Sequence, residues 1–200
     1  MIRRRDFITL LGGAAAWPLA ARAQQRERVR RIGVLMTTAA GDPEGQARVA
    51  ALLQGLQPLG WTVGGNIRID IRFAVDADHV RREAADLAAL APDVIVANSS
   101  AGIGAALQAT RTVPIVFAIV ADPVGAGFVN SLARPGGNAT GFTNFEYGVG
   151  GKWLALLKEL VPDLRRVAVI RDPTTAVGLG QFGAFRGQRR RLVWRSLRST

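Results

Sequence analysis

The sequence predicts an α/β protein: one complete lobe built on a doubly wound parallel sheet of five strands, followed by the incomplete start of a second, similar lobe. Three observations carry this. Short apolar runs alternate strictly with segments whose apolar residues recur every three or four positions. The connections between them are short and punctuated by Gly and Pro, which implies right-handed crossovers between parallel strands. The form of the first strand then returns near residue 166, after the fifth strand has closed the first unit.

The elements follow in order. Arg31-Ile32-Gly33-Val34-Leu35-Met36 is a continuous apolar run, as expected of a strand covered on both faces. Glu44 to Gln57 places Val49, Leu52, Leu53 and Leu56 on one helical side, and Pro58 and Gly60 stop it. Asn66 to Phe73 alternates Ile67, Ile69 and Ile71 with Arg68, Asp70 and Arg72, which predicts a strand at a sheet edge with one polar face. Asp76 to Leu90 is a second helix with Val80, Ala84, Leu87 and Leu90 inward. Val94 to Ala97 is a third strand, Ala101 to Thr110 a third helix, and Ile115 to Val120 a fourth strand introduced by Pro114. Gly125 to Ala133 reads as a weaker fourth helix, and Ala139 to Thr143 as the fifth strand. A second unit begins with a helix from Gly151 to Val161, the strand Arg166 to Ile170 and the opening of a further helix from Thr174 to Gly183. From Phe185 the apolar period is lost.

The formal charge of +11 over 200 residues belongs to the two ends. Residues 1–23 hold four Arg against one Asp, and residues 185–200 hold six Arg and no acid, so the body between is nearly neutral. The charge is therefore no footprint of nucleic-acid binding, and no such partner is expected. With no cysteine, a disulfide framework, a thiolate metal site and a cysteine nucleophile are excluded, and one histidine excludes a multi-histidine metal centre. The first segment has the build of an export signal. The basic stretch Met1 to Arg5 precedes the mainly apolar run Ile8 to Trp17, and Ala21-Arg22-Ala23 supplies small residues at a cleavage site before Gln24. The run is shorter than the ~20 residues that span a bilayer. Arg4-Arg5-Asp6-Phe7-Ile8 resembles the twin-arginine export pattern, with ordinary secretion as the alternative. Residues 1–23 are expected to be removed, and the periplasm is the expected compartment.

Several segments carry a family resemblance. They are Arg31-Ile32-Gly33-Val34-Leu35, Asp42-Pro43-Glu44, Ala91-Pro92-Asp93-Val94-Ile95 and Pro114-Ile115-Val116-Phe117, with Asp122-Pro123-Val124-Gly125-Ala126-Gly127-Phe128-Val129 and Ser131-Leu132-Ala133-Arg134-Pro135-Gly136-Gly137-Asn138-Ala139-Thr140-Gly141 the most specific. Together the chain resembles the substrate-binding proteins of ABC importers, in the subfamily of tryptophan/tyrosine-type binders, up to about Gly183. The resemblance implies two periplasmic-binding-protein-like lobes joined by a hinge, with a small solute held between them. It further implies a monomer that presents the solute to a permease in the inner membrane, without catalysis or cofactor. On this reading residues 24–144 are the first lobe and residues 145–184 the hinge and incomplete second lobe. Residues 185–200 depart from the family. They are expected to be a basic, aberrant tail of the kind an out-of-frame reading produces, rather than a functional arm with Trp194 as a stacking group.

In an open parallel sheet, ligands sit beyond the carboxyl ends of the strands. Four such ends are polar: Thr37 and Thr38 after the first strand, Asn98, Ser99 and Ser100 after the third, Asp122 after the fourth, and Thr143 and Asn144 at the fifth. Ser99 and Ser100 precede a helix, where free N–H groups favour a carboxylate, and Asp122 is a candidate partner for an ammonium group. The set suits a zwitterion, so an amino acid is the expected solute. Each residue also has a plain structural reading. Ser99 can cap its helix, Asp122-Pro123 is a common turn pair, Asn144 can belong to the hinge, and His79 beside Arg81 and Arg82 reads as a surface residue. Gly136-Gly137 reads as a turn, because no Lys-Ser/Thr follows it. The rival readings are a periplasmic α/β enzyme and a non-functional fragment. An enzyme is disfavoured by the missing G-x-S-x-G elbow and G-x-G-x-x-G loop, and by a lone His79 far from any strand end.

Overall fold

A computed structural model describes residues 28–173, 175–187 and 193–198. The candidate export signal lies outside the described residues, as does the arginine run at 189–191. The first unit runs β1 (Arg30–Met36), α1 (Pro43–Leu56), a 3-10 turn (Gln57–Leu59), β2 (Ile67–Phe73), α2 (Ala77–Ala89), β3 (Val94–Asn98), α3 (Ser99–Ala109), β4 (Ile115–Ala121) and β5 (Ala139–Phe145). All pairings are parallel and the strand order is β2-β1-β3-β4-β5. The apolar β1 is central and the alternating β2 is an edge strand, as the two patterns require.

This order places the chain's reversal between β1 and β3, and puts α1 on one face of the sheet with α2 and α3 on the other. The alternation of β1 shows it. Ile32, Val34 and Met36 pack with Val49 and Ile67 on the α1 face, whereas Leu35 packs with Val80, Ala84 and Leu87 of α2. Gly33 faces α2 as well. A Cβ there would lie 3.2 Å from Leu87 Cδ2, so glycine lets the helix settle onto the strand. A third cluster of Ile95, Ile103, Ala106, Ile115, Phe117 and Val120 fills the space beneath α3. Helix starts are fixed by side chains. Asp42 accepts from Gly45 N–H and Asp76 from His79 N–H, each at 2.8 Å. At the amino end of the sheet, Asp93 accepts from the Arg31 N–H and the Arg30 guanidinium, both at 2.8 Å, and Asp70 from Arg31 Nε at 2.6 Å.

The expected helix over Gly125–Ala133 does not form. The segment makes a single turn, with the Asp122 carbonyl accepting from Ala126 N–H and the Pro123 carbonyl from Phe128 N–H. Gly127 then adopts φ +74° and ends it. Phe128 and Val129 reach the core cluster from this loop, so their apolar character served burial and not a helical face. Two other boundaries differ. Helix α3 begins at Ser99, two residues before the expected start, and β5 runs on to Phe145.

The second unit comprises α4 (Val149–Leu160), β6 (Arg166–Arg171), α5 (Ala176–Gly187) and β7 (Val193–Arg198), with β6 and β7 parallel. Regular structure therefore continues past Phe185. The Phe185 ring is buried against α4, its centroid 6.3 Å from that of Trp153. Backbone pairing with β6, not an apolar period, orders 193–198. Among the described residues, no helix is long and apolar enough to cross a membrane.

Candidate functional site

A cleft of about 630 Å³ opens at the carboxyl ends of the strands, on the α2 and α3 face of the sheet. Its floor is the first turns of α3, Ser99 to Ala105. One wall is Val80 and Arg81 of α2, another Ile119 and Ala121 of β4 with Asn144 and Phe145 of β5, and Thr175 and Val177 of the second unit stand opposite. The lining is mostly apolar, with a few polar groups, which is the composition expected of a small-molecule site.

The strand-end residues divide between this cleft and the scaffold behind it. Ser99, Ser100 and Asn144 line the cleft. Ser99 opens α3 at φ +69°, an unusual conformation for a residue with a side chain, and its Oγ accepts from Thr37 Oγ1 at 2.8 Å and from Gly102 N–H at 3.4 Å. Ser100 Oγ accepts from Ala121 N–H at 3.4 Å, which ties α3 to the end of β4. Thr37 and Asn98 stand behind these serines. Asn98 is 5% exposed, and its Oδ1 accepts from Thr37 Oγ1 at 3.4 Å and from Arg48 Nη1 at 3.5 Å. Arg48 in turn pairs with Glu44 one turn earlier on α1. Thr38 packs against the start of α1, where a Cβ on Gly45 would lie 2.3 Å from its hydroxyl, and that hydroxyl is buried without a partner among the described residues.

Asp122 and Thr143 are engaged by the backbone. Asp122 sits at φ +39°. Its Oδ1 accepts from Gly125 N–H at 2.7 Å and its Oδ2 from Tyr147 N–H at 3.2 Å, so both carboxylate oxygens hold chain that leaves the sheet. Thr143 Oγ1 donates to the carbonyls of Val120 at 2.9 Å and Phe145 at 3.1 Å, bracing the irregular pairing of β4 with β5. Tyr147 closes the passage to the second unit. Its ring meets α5 at Gly180, where a Cβ would approach to 2.2 Å, and burial, helped by the Asp122 charge, raises its phenol above the usual value of 10.0.

The sequence missed Arg81, Ile119, Phe145, Thr175 and Val177 as cleft residues. Ile119 had no signal at all: it enters the cleft wall because β4 is irregular after Phe117 and Ile119 itself adopts φ +58°. Arg81 had a weak one, a basic residue one turn into a helix that starts at the same end of the sheet as the strand-end polar groups.

Comparisons with known proteins bear on the family and the fold. Residues 34–181 match a family model described as ABC transporter substrate binding protein. A tyrosine-binding protein of Clostridioides difficile is 36% identical over 119 residues, which are 59% of this chain and 34% of that protein. Among solved structures, a conserved domain protein from Vibrio cholerae superposes with a TM-score of 0.74 at 26% identity, over 86% of this chain and 58% of that one. A ligand-free, open substrate binding protein with adhesive properties from Clostridium difficile gives 0.63 at 28% identity, over 86% and 58%. An ABC domain in complex with L-Trp from Streptococcus pneumoniae gives 0.72 at 22% identity, over 85% and 57%, a likeness of fold. The match spans about a third of the curated relative and under three fifths of these solved chains.

Proposed function

We propose that this chain binds a small solute for an ABC importer, from the premise that it belongs to the ABC transporter substrate binding protein family. The observation that carries the reading is the position of the cleft. It lies where a doubly wound sheet offers a ligand site, between the polar carboxyl end of the first unit and Thr175 and Val177 of the second. Residues 24–144 would then be the first binding lobe and 145–184 the hinge with the beginning of the second. Ser99, Ser100 and Asn144 would touch the solute, with Thr37 and Asn98 positioning Ser99, Thr38 packing behind them against the start of α1, and Asp122 and Thr143 holding the chain that leads into the hinge.

An amino acid is the proposed solute, supported by the relative named as a tyrosine-binding protein. Movement of the second unit about the β5–α4 passage would shut the cleft, and the closed form would be handed to a permease in the inner membrane. Removal of residues 1–23 and export to the periplasm complete the proposal, as does action as a monomer. Thermal-shift screening of the purified chain against the twenty amino acids and a set of sugars tests it. A ligand that binds only the native state adds about 2.7 kcal/mol at a hundredfold excess over its dissociation constant. A cooperative melt that no solute moves would refute the reading.

A further inference from the structure

We infer that the end of the first unit opposite the cleft docks on the surface of an anionic phospholipid bilayer. The inference goes beyond solute binding and takes from the proposed function only the export to the periplasm. Because all pairings in the first unit are parallel, every strand starts at this end and finishes at the cleft. The near-neutral charge of the unit is divided unevenly between the two ends. Arg28, Arg30, Arg31, Arg68, Arg111 and Arg134 stand at the strand starts and the loops that lead into them, against Asp70, Asp86 and Asp93. At the cleft end of residues 28–145 the balance reverses, with four arginines against six acids. Pairing with Asp93 and Asp70 leaves the Arg28 and Arg68 side chains 68% and 67% exposed. Strands about 4.8 Å apart spread these arginines over a front of roughly 20 Å.

The same end carries an apolar tip. Residues 57–65, between α1 and β2, are exposed throughout and contain no charged residue, yet they include Leu59, Trp61 and Val63. Leu59 is 72% exposed and Val63 56%. Polar contacts, not burial of these side chains, fix the loop. Asn66 Nδ2 donates to the Gly60 carbonyl and its Oδ1 accepts from Thr62 N–H, each at 2.8 Å, and Trp61 N–H reaches the Leu56 carbonyl at 3.1 Å. Val29, also exposed, extends the apolar surface: Arg30, the next residue, pairs with Ile67 on one side while Val63 bridges Ile67 on the other.

The occupant follows from the combination. Arginines are drawn to anionic headgroups, and Trp, Leu and Val enter the boundary between headgroups and acyl chains. A purely polyanionic partner would use the arginines and leave Leu59 and Val63 without a role. The chain also enters the described fold at this end, at Arg28, so the proposed export segment joins the protein on the side that would meet the bilayer. Docked this way, the molecule turns its cleft toward the periplasm, where the solute is.

Vesicle flotation of the purified chain tests this without any solute. The vesicles are pure phosphatidylcholine, or phosphatidylcholine with about one part in four phosphatidylglycerol. The chain should float with the anionic vesicles at about 0.05 M NaCl, be released at about 0.5 M, and ignore the neutral ones. Leu59→Ser combined with Val63→Thr, and separately Arg28→Gln with Arg68→Gln, should each weaken binding about tenfold. Their urea midpoints should match the parent, since all four side chains are exposed. Arg189→Gln with Arg190→Gln and Arg191→Gln controls for the basic tail and should keep binding within about twofold. Failure to float with anionic vesicles, equal binding to neutral ones, parent-like binding by either pair of variants, or loss in the tail variant alone would overturn the inference. Each of these outcomes leaves the solute-binding reading, which rests on the thermal-shift screen, standing.

Discussion

Asp122 decides between two accounts of the strand-end cluster, one in which it holds a ligand's ammonium group and one in which it holds the backbone. Replacing it by Ala removes two acceptors. A hydrogen bond to a charged group contributes about 1.5–3 kcal/mol net. The contact with Gly125 N–H at 2.7 Å lies in the short, charge-assisted range and is assigned about 1.5 kcal/mol, whereas that with Tyr147 N–H at 3.2 Å lies at the long limit and is assigned about 0.5. Ala also tolerates φ +39° less well than Asp, a further few tenths. Asp122→Ala should thus cost about 2 kcal/mol. Asp122→Asn, which keeps one acceptor oxygen and the left-handed tolerance, should cost about 1. With a urea slope near 2 kcal/mol/M, the midpoint followed by far-UV circular dichroism should fall by about 1 M for Ala and half that for Asn. Unchanged midpoints with selective loss of amino-acid binding would refute the structural assignment and restore Asp122 to the ligand.

Three other predictions test the frame around the cleft. Gly141→Ala would put a Cβ 2.0 Å from the Phe117 carbonyl oxygen and 2.7 Å from its nitrogen, so β5 must pull away from β4; a loss of about 3 kcal/mol or more in the same urea assay is expected. Ile119→Gly removes a β-branched residue from φ +58°, a relief of about 1–3 kcal/mol that offsets the lost side-chain burial and the flexibility of glycine. Stability should therefore hold within about 1 kcal/mol while calorimetric affinity for whichever amino acid shifts the melt of the parent chain falls, and an unchanged affinity would remove Ile119 from the site. The third concerns acid. The carboxyl of Asp70 is held below its usual 3.8 chiefly by the Arg31 side chain, and that of Asp93 by the Arg31 N–H and then the Arg30 guanidinium. Folded values below unfolded ones mean stability that is complete above about pH 5 and is lost as pH falls through the folded values. Urea midpoints should drop between pH 5 and pH 3, and Asp93→Asn should flatten that slope; an equally steep drop in the variant would exclude Asp93 as a source.

What the sequence could show of this fold was whatever depends on neighbours in the chain. The unbroken apolar run of β1 announces a strand covered on both faces, and the alternation in β2 announces an edge, because both follow from which side chains share a face. The strand-end polar groups were legible for the same reason. The loop after β4 was not. Phe128 and Val129 each stand at helical spacing from Leu132, but Gly127 and the Asn130 N–H bond to the Pro135 carbonyl turn the chain into a loop that buries them anyway. Nor was β7 legible, since what orders Val193–Arg198 is a ladder to β6 formed by residues 27 positions earlier in the register Arg166 to Val193.

The site shows the same division more sharply. Thr37, Asn98, Ser99, Ser100, Asp122 and Asn144 look alike in sequence, each a polar residue at the carboxyl end of a strand. In the fold they divide by the face of the sheet on which each side chain falls and by the backbone donors within its reach. Asn98 turns to the α1 side, where Arg48 meets it, and Ser99, the next residue, turns to the α3 side and the cleft. Asp122 follows its strand as Ser99 does, but at φ +39° its carboxylate lies over two N–H groups, one of them 25 residues away, and their claim on it is met before any solute arrives. A polar strand end therefore marks the region where a ligand can bind. Which strand ends do the binding is fixed by the hydrogen bonds that folding itself has already used.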